Sequence, residues 1–151
     1  MARSVVYDSV PLKRGASSNI RLLELQPCDA QDTSGTTGCT LCVTQLGDSP
    51  TYMAVSYMWG DARITNTILV NGQTFSVRRN LWNLLEQLRR DGHQCRLWID
   101  AICIDQTSLD ERSHQVAMMG AIYPKAAGML SWLGLANEGI GICIGSATRH
   151  V

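Results

Sequence analysis

The chain has 151 residues, with 13 basic and 13 acidic side chains and a formal net charge of zero. That length suits one domain with a real core. The neutral balance argues against a polyanion-binding surface, hence against nucleic acid, and no apolar segment is long enough to span a bilayer. The N-terminal MARSVVYDSVPLKRG has no sustained apolar region of the signal-peptide kind. Six cysteines, at 28, 39, 42, 95, 103 and 143, are too sparse for a secreted disulfide scaffold. They read as reduced thiols of a cytoplasmic protein.

In chain order, residues 1–17 show no periodicity and read as a loose leader. Asn19–Leu25 is rich in Ile and Leu and is expected to be a strand. Pro27–Gly38 is a polar loop. Cys39–Leu46 alternates, with Leu41 and Val43 on one face, and is expected to be a strand antiparallel to the first. Cys39 and Cys42 form a C-x-x-C, but residues three apart on a strand face opposite sides. No second pair completes a zinc site, so no metal is expected. Tyr52–Trp59 is the next strand, ended by Gly60-Asp61. Trp59 reads as a packing residue and Gly60 as a source of backbone freedom. Asp61 either caps a turn or faces a ligand. Ile68–Val77, ILVNGQTFSV, predicts a hairpin about a type I′ turn at Asn71-Gly72, decorating a sheet edge.

Asn80 is placed to cap a helix whose Leu81, Leu84, Leu85 and Leu88 form a core-facing stripe, with Gly92 as its stop. Arg78, Arg79, Arg89 and Arg90 form either an anion site or a solvated face, the solvated face being the simpler reading. Leu97–Ile104 is apolar except at Asp100 and is expected to be a strand buried on both faces. Ser108-Leu109-Asp110-Glu111 has the form of a capping box, opening a helix that should stop near Tyr123 because of Pro124. Met129–Leu133 completes β-α-β. The expected fold is therefore α/β: a mainly parallel sheet flanked by helices, with an antiparallel N-terminal strand pair and a β-hairpin insertion. Residues 135–151 read as a Gly-rich tail, a truncated end of the domain being one account of it.

In open α/β sheets ligands sit beyond the carboxyl ends of the strands, which points to Asp105, Gln106 and the first helical turn. A lone buried carboxylate such as Asp100 needs a partner, and Arg112 is the expected one, in a structural ion pair. Cys103 would need a base to act as a nucleophile; His114 is the nearest in sequence, and a buried, inert thiol is the simpler reading. Glu111 is either the third residue of the capping box or a carboxylate pointing into the pocket, and the capping role comes first. Gln115, one turn on, binds a ligand or pairs locally. A nuclease-like cluster of Asp61, Asp100, Asp105 and Glu111 binding a divalent metal is a further alternative.

Several blocks together resemble one family. WIDAICIDQ followed by E-R-x-x-Q-V and A-I-Y, YMAVSYMWGD at Tyr52–Asp61, MLSWLG at Met129–Gly134 and IRLLEL at Ile20–Leu25 occur in order and with natural spacing. They resemble the signature of the fungal heterokaryon incompatibility (HET) domain, with Asp105 standing where members often carry Asn. On this resemblance residues 18–134 form a HET-like domain. The resemblance implies self/non-self recognition that triggers fungal cell death through self-association or a protein partner, in the manner of innate immunity. It also implies a fold similar to TIR domains. By that analogy Glu111 is the candidate catalytic residue of an NAD-cleaving glycohydrolase, NAD being substrate and not cofactor. Gly60, Asp61, Asp105, Gln106 and Gln115 are then the candidate ligand-binding residues, and Trp59, Asp100 and Arg112 structural ones.

Overall fold

A computed structural model describes residues 5–12, 18–26, 36–136 and 139–146, of which 133–146 are described as backbone. Most of the polar loop expected over Pro27–Gly38, part of the leader and the end of the tail lie outside the described residues.

Eight strands form one sheet: β1 (Asn19–Leu25), β2 (Gly38–Gln45), β3 (Met53–Tyr57), β4 (Thr65–Val70), β5 (Gln73–Arg78), β6 (Leu97–Trp98), β7 (Gly128–Ala136) and β8 (Gly139–Ser146), in the order β5-β4-β2-β1-β6-β3-β7-β8. Three helices accompany them: α1 (Arg79–Arg90), the single turn α2 (Asp100–Cys103) and α3 (Leu109–Lys125). The sheet is mixed and not mainly parallel, which corrects the expected class. Pairings β1–β2, β1–β6, β4–β5 and β7–β8 are antiparallel, and only β2–β4, β3–β6 and β3–β7 are parallel. The reason is topological. The β4–β5 hairpin turns back through Asn71-Gly72, which makes that pair antiparallel, whereas β6 and β7 are joined through α2 and α3 and run parallel to β3 between them.

The expected parallel trio is present, with β3 between β6 and β7. Its β6 member is shorter than Leu97–Ile104 suggested. Only Leu97 and Trp98 pair with β3, and Asp100–Cys103 turns into α2, where the Cys103 amide donates to the Ile99 carbonyl at 2.7 Å. Ile102, Cys103 and Ile104 are buried nonetheless. A short buried helical turn and a buried strand produce the same apolar run, so periodicity could not separate them.

The hairpin β4–β5 lies at the sheet edge, with Asn71 and Gly72 both at positive φ as a type I′ turn requires. Helix α1 buries Leu81, Leu84, Leu85 and Leu88, each burial contributing roughly 1.5–3 kcal/mol. Asn80 does not cap it, because the helix begins at Arg79, two residues earlier than a cap at Asn80 requires, with Arg78 at the N-cap position. Instead the Asn80 amide donates to the Met58 carbonyl, and its Oδ1 accepts from Trp132 Nε1 at 3.0 Å. Helix α3 is capped by Ser108, whose hydroxyl accepts from the Glu111 amide at 3.3 Å. It runs through Pro124 to Lys125, because a proline in the last turn removes one amide donor and no more.

The helices cover opposite faces. Trp98 packs edge-on against Tyr123 of α3 and is in register with Ala54 and, across β3, with Met129. Trp132, three residues past Met129 and therefore on the opposite face of the pleat, bonds to Asn80 of α1. The N-terminal stretch is not wholly loose: Val5–Asp8 forms a 3-10 turn that buries Val6 and Tyr7 in the core. The Tyr7 hydroxyl donates to the Ile102 carbonyl at 2.7 Å.

Candidate functional site

Two adjacent parallel strands send their chains to opposite faces. After β3 the chain passes through the hairpin to α1, and after β6 it passes through α2 to α3. Where connections diverge in this way a crevice opens beyond the carboxyl ends of the strands. The structure has two neighbouring cavities there. One, of about 620 Å³, is lined by Trp59, Asp100, Ile104, Gln106, Thr107, Arg112, Val116 and Met119. The other, of about 470 Å³, is walled largely by Tyr7, Tyr57, Trp59, Phe75 and the rest of β5, with Arg78, Asp105 and Gln106 as polar members. Trp59, Gln106 and Thr107 belong to both and form the partition.

Asp100 opens α2 and faces the first cavity. It does not pair with Arg112: among the described residues no ion pair joins them, although both line this cavity. The two side chains meet the same open space and not each other. Asp100 Oδ1 is buried without a hydrogen-bond partner. Burial pushes the carboxyl above its ordinary range, partly offset by the Ala101 amide and the Trp59 side chain. Tyr57, in the second cavity, is pushed well above its usual phenol range, chiefly by burial and further by the negative charge of Asp100. Arg78 stacks 4.9 Å from the centre of the Trp59 ring and donates to the Gly60 carbonyl at 3.0 Å. Gly60 itself stands at φ +78°.

The partition is tightly built. Gln106 donates to the Asp100 carbonyl at 2.9 Å, and Asp105 Oδ1 accepts from the Thr107 amide at 3.1 Å and its hydroxyl at 2.7 Å. The Asp105 amide donates to Glu111 Oε2. Glu111 is where the capping reading needs correction. Its carboxylate does not return to the Ser108 amide, which donates to the Asp105 carbonyl instead. It grips the buried Arg21 guanidinium through both oxygens, at 2.7 and 2.9 Å. Arg21 also donates to the carbonyls of Val10 and Cys103 and lies 4.7 Å from the Tyr7 ring centre.

Of the residues singled out from sequence, Trp59, Asp100, Asp105, Gln106 and Arg112 gather around the crevice. Glu111 lies behind the partition and lines neither cavity. Gln115 is fully buried, donating to the Asn19 carbonyl at 2.9 Å, and reaches neither cavity. Asp61 is exposed and held by Arg63, which keeps its carboxyl below the usual range. The acidic quartet is therefore not assembled, and no group of three potential ligands is placed to hold a metal among the described residues. Cys39 and Cys42 bond separately, to the Leu69 and Leu22 carbonyls. The Cys103 thiol is buried and pushed up to about 12, which leaves it inert. Sequence reasoning missed Tyr57 and Arg21, and read Arg78, which lines the second cavity, as part of a solvated face. For Arg21 a signal was present, a charge inside an apolar strand, the same signal that drew attention to Asp100.

A two-cavity crevice at the reversal point of the sheet belongs to a mixed α/β domain flanked by helices. The family described as heterokaryon incompatibility protein (HET) matches residues 52–149, and the chain belongs to that family. It is 38% identical over 147 residues to heterokaryon incompatibility protein 6, OR allele, of Neurospora crassa, an alignment covering 87% of this chain and 21% of that protein. The chain thus spans about a fifth of the curated relative it matches. No solved structure matches it. No described helix is long and apolar enough to cross a membrane.

Proposed function

We propose that this domain acts in fungal heterokaryon incompatibility as a cytoplasmic module that triggers cell death by self-association or by binding a protein partner. The observation that carries the reading is the family match over residues 52–149, supported by the name of the Neurospora relative. Inducible expression in a fungal host tests it. Loss of viability on induction is the expected outcome; normal growth with the protein abundant and folded rejects the trigger role.

A second reading, NAD-cleaving glycohydrolase, is favoured by one observation: a carboxyl oxygen of Asp100 buried without a partner beside a 620 Å³ cavity. On this reading the candidate role passes from Glu111, which Arg21 occupies, to Asp100. Ionised, Asp100 stabilises the cationic ribose as the glycosidic bond breaks: the bond's electron pair leaves with nicotinamide, and water adds at the sugar carbon and releases a proton to solvent. Nicotinamide release by the purified chain, abolished in Asp100→Asn, is the expected result. No release above buffer leaves the non-catalytic module standing.

A further inference from the structure

Strand β5 is the last strand at one end of the sheet. Free edges are normally blunted by a lysine, a proline or a bulge. The sequence of β5, QTFSVR, holds no lysine or proline, and its register with β4 runs unbroken from Val70↔Gln73 to Thr65↔Arg78. The Arg79 amide donates to the Ile64 carbonyl at 2.9 Å. Hydrogen-bonded pairs recur at every second residue of an antiparallel ladder, so Val77, Phe75 and Gln73 also bond toward β4. Thr74 and Ser76 turn their amides and carbonyls outward. Both residues are exposed, and among the described residues no backbone group meets them there. What complements such an edge is another extended chain. The 470 Å³ cavity lies along it, lined by every residue of β5 from Gln73 to Arg78. Neighbours on a strand point to opposite faces, so a cavity that reaches all of them opens at the edge and not on one face.

We propose that β5 takes up, as an added strand, an extended segment of a protein partner that carries an aromatic and an acidic side chain. This rests on the partner-binding reading above and gives it a surface. The segment's backbone bonds to Thr74 and Ser76, and its alternate side chains drop toward the cavity. Tyr57, Trp59 and Phe75 wall that cavity and suit an aromatic ring. Charge sets the second requirement. Arg78 lines the cavity, and the exposed Arg79 follows it. Among the described residues neither forms an ion pair: Arg78 donates to the Gly60 carbonyl and Arg79 to the Asn66 side chain. A carboxylate near the Arg78 end of the strand complements them. A second copy would not supply it through its own edge strands, because neither β5 nor β8 contains an acidic residue.

Selection of random short peptides displayed on phage against the purified 151-residue chain tests the proposal. Enriched peptides should share an aromatic and an acidic residue, and a synthetic copy of the leading one should bind in isothermal titration. Ser76→Pro deletes an outward amide while sparing the ladder to β4, and should weaken that binding roughly tenfold or more. Ser76→Ala keeps the amide and should bind as wild type does. Arg78→Glu should reject the peptide and accept its counterpart with lysine in place of the acid. Should Ser76→Pro not fold, methylating the peptide's backbone amides one at a time is the equivalent test, with binding lost at alternate positions. No enriched peptide, or binding indifferent to both Ser76→Pro and Arg78→Glu, overturns the β5 site. A dimer of the chain that Ser76→Pro dissolves overturns the peptide as occupant. Viability of the fungal host is a separate readout: normal growth with peptide binding intact rejects the trigger role and leaves the β5 surface standing.

Discussion

Arg21 and Glu111, 90 positions apart, form a two-pronged ion pair in which the arginine is 1% and the glutamate 16% exposed. The pair ties β1 to the start of α3, and through the Asp105 amide it fixes the partition between the two cavities. Removing one partner of a buried pair strands the other charge. Glu111→Ala should therefore cost roughly 3–5 kcal/mol, read from the urea midpoint at unchanged slope. Ser108→Ala, which removes only the cap, should cost about 1 kcal/mol. If the two costs came out equal, Glu111 would be a capping residue and no more.

Asp100 should show the opposite sign. Burial raises its folded pKa above the unfolded value, so the folded state holds the proton more tightly. Stability from this group is full below the unfolded pKa and is lost as pH rises through the folded one. Asp100→Asn, neutral and of the same shape, should be more stable than wild type at neutral pH. The advantage should shrink as pH falls into the carboxylate range. Urea midpoints across that window decide it; a variant less stable at neutral pH would reveal a charged partner for Asp100.

Asn80 links the loop after β3 to β7 through Met58 and Trp132. Asn80→Ala leaves the Nε1–H of Trp132, a residue only 1% exposed, without an acceptor, at a cost of about 1–3 kcal/mol. The check is a urea titration of the variant. No change in midpoint would mean that the indole finds another acceptor.

Two glycines should respond to alanine in opposite directions. Gly60 has φ +78°, and an added Cβ would come within 3.4 Å of Asn80 Cβ; Gly60→Ala should cost roughly 1–2 kcal/mol. Gly120 is helical with open space around it, so Gly120→Ala should stabilise the monomer by about 0.5–1 kcal/mol. Thermal melts at low concentration, where association does not contribute, measure both.

Local patterns determined most of the elements. The Asn71-Gly72 turn, the leucine stripe of α1, the Ser108 cap and the β3–β6–β7 trio were legible because each depends on neighbours within a few positions, on side-chain period or on short connections. The HET resemblance was legible because its blocks lie in order along the chain. What only the tertiary structure decided depends on residues far apart. Asp100 faces open space and not Arg112, since Leu97–Ile104 leaves the sheet after two residues and turns into α2. Glu111 serves Arg21 and not its own helix terminus, because β1 brings a buried guanidinium to that point with its charge otherwise uncompensated. A sheet that is mixed and not mainly parallel follows from strand neighbours such as β2–β4 and β1–β6. Such pairings are settled by which apolar faces can be buried together, and no single stretch of sequence contains that information.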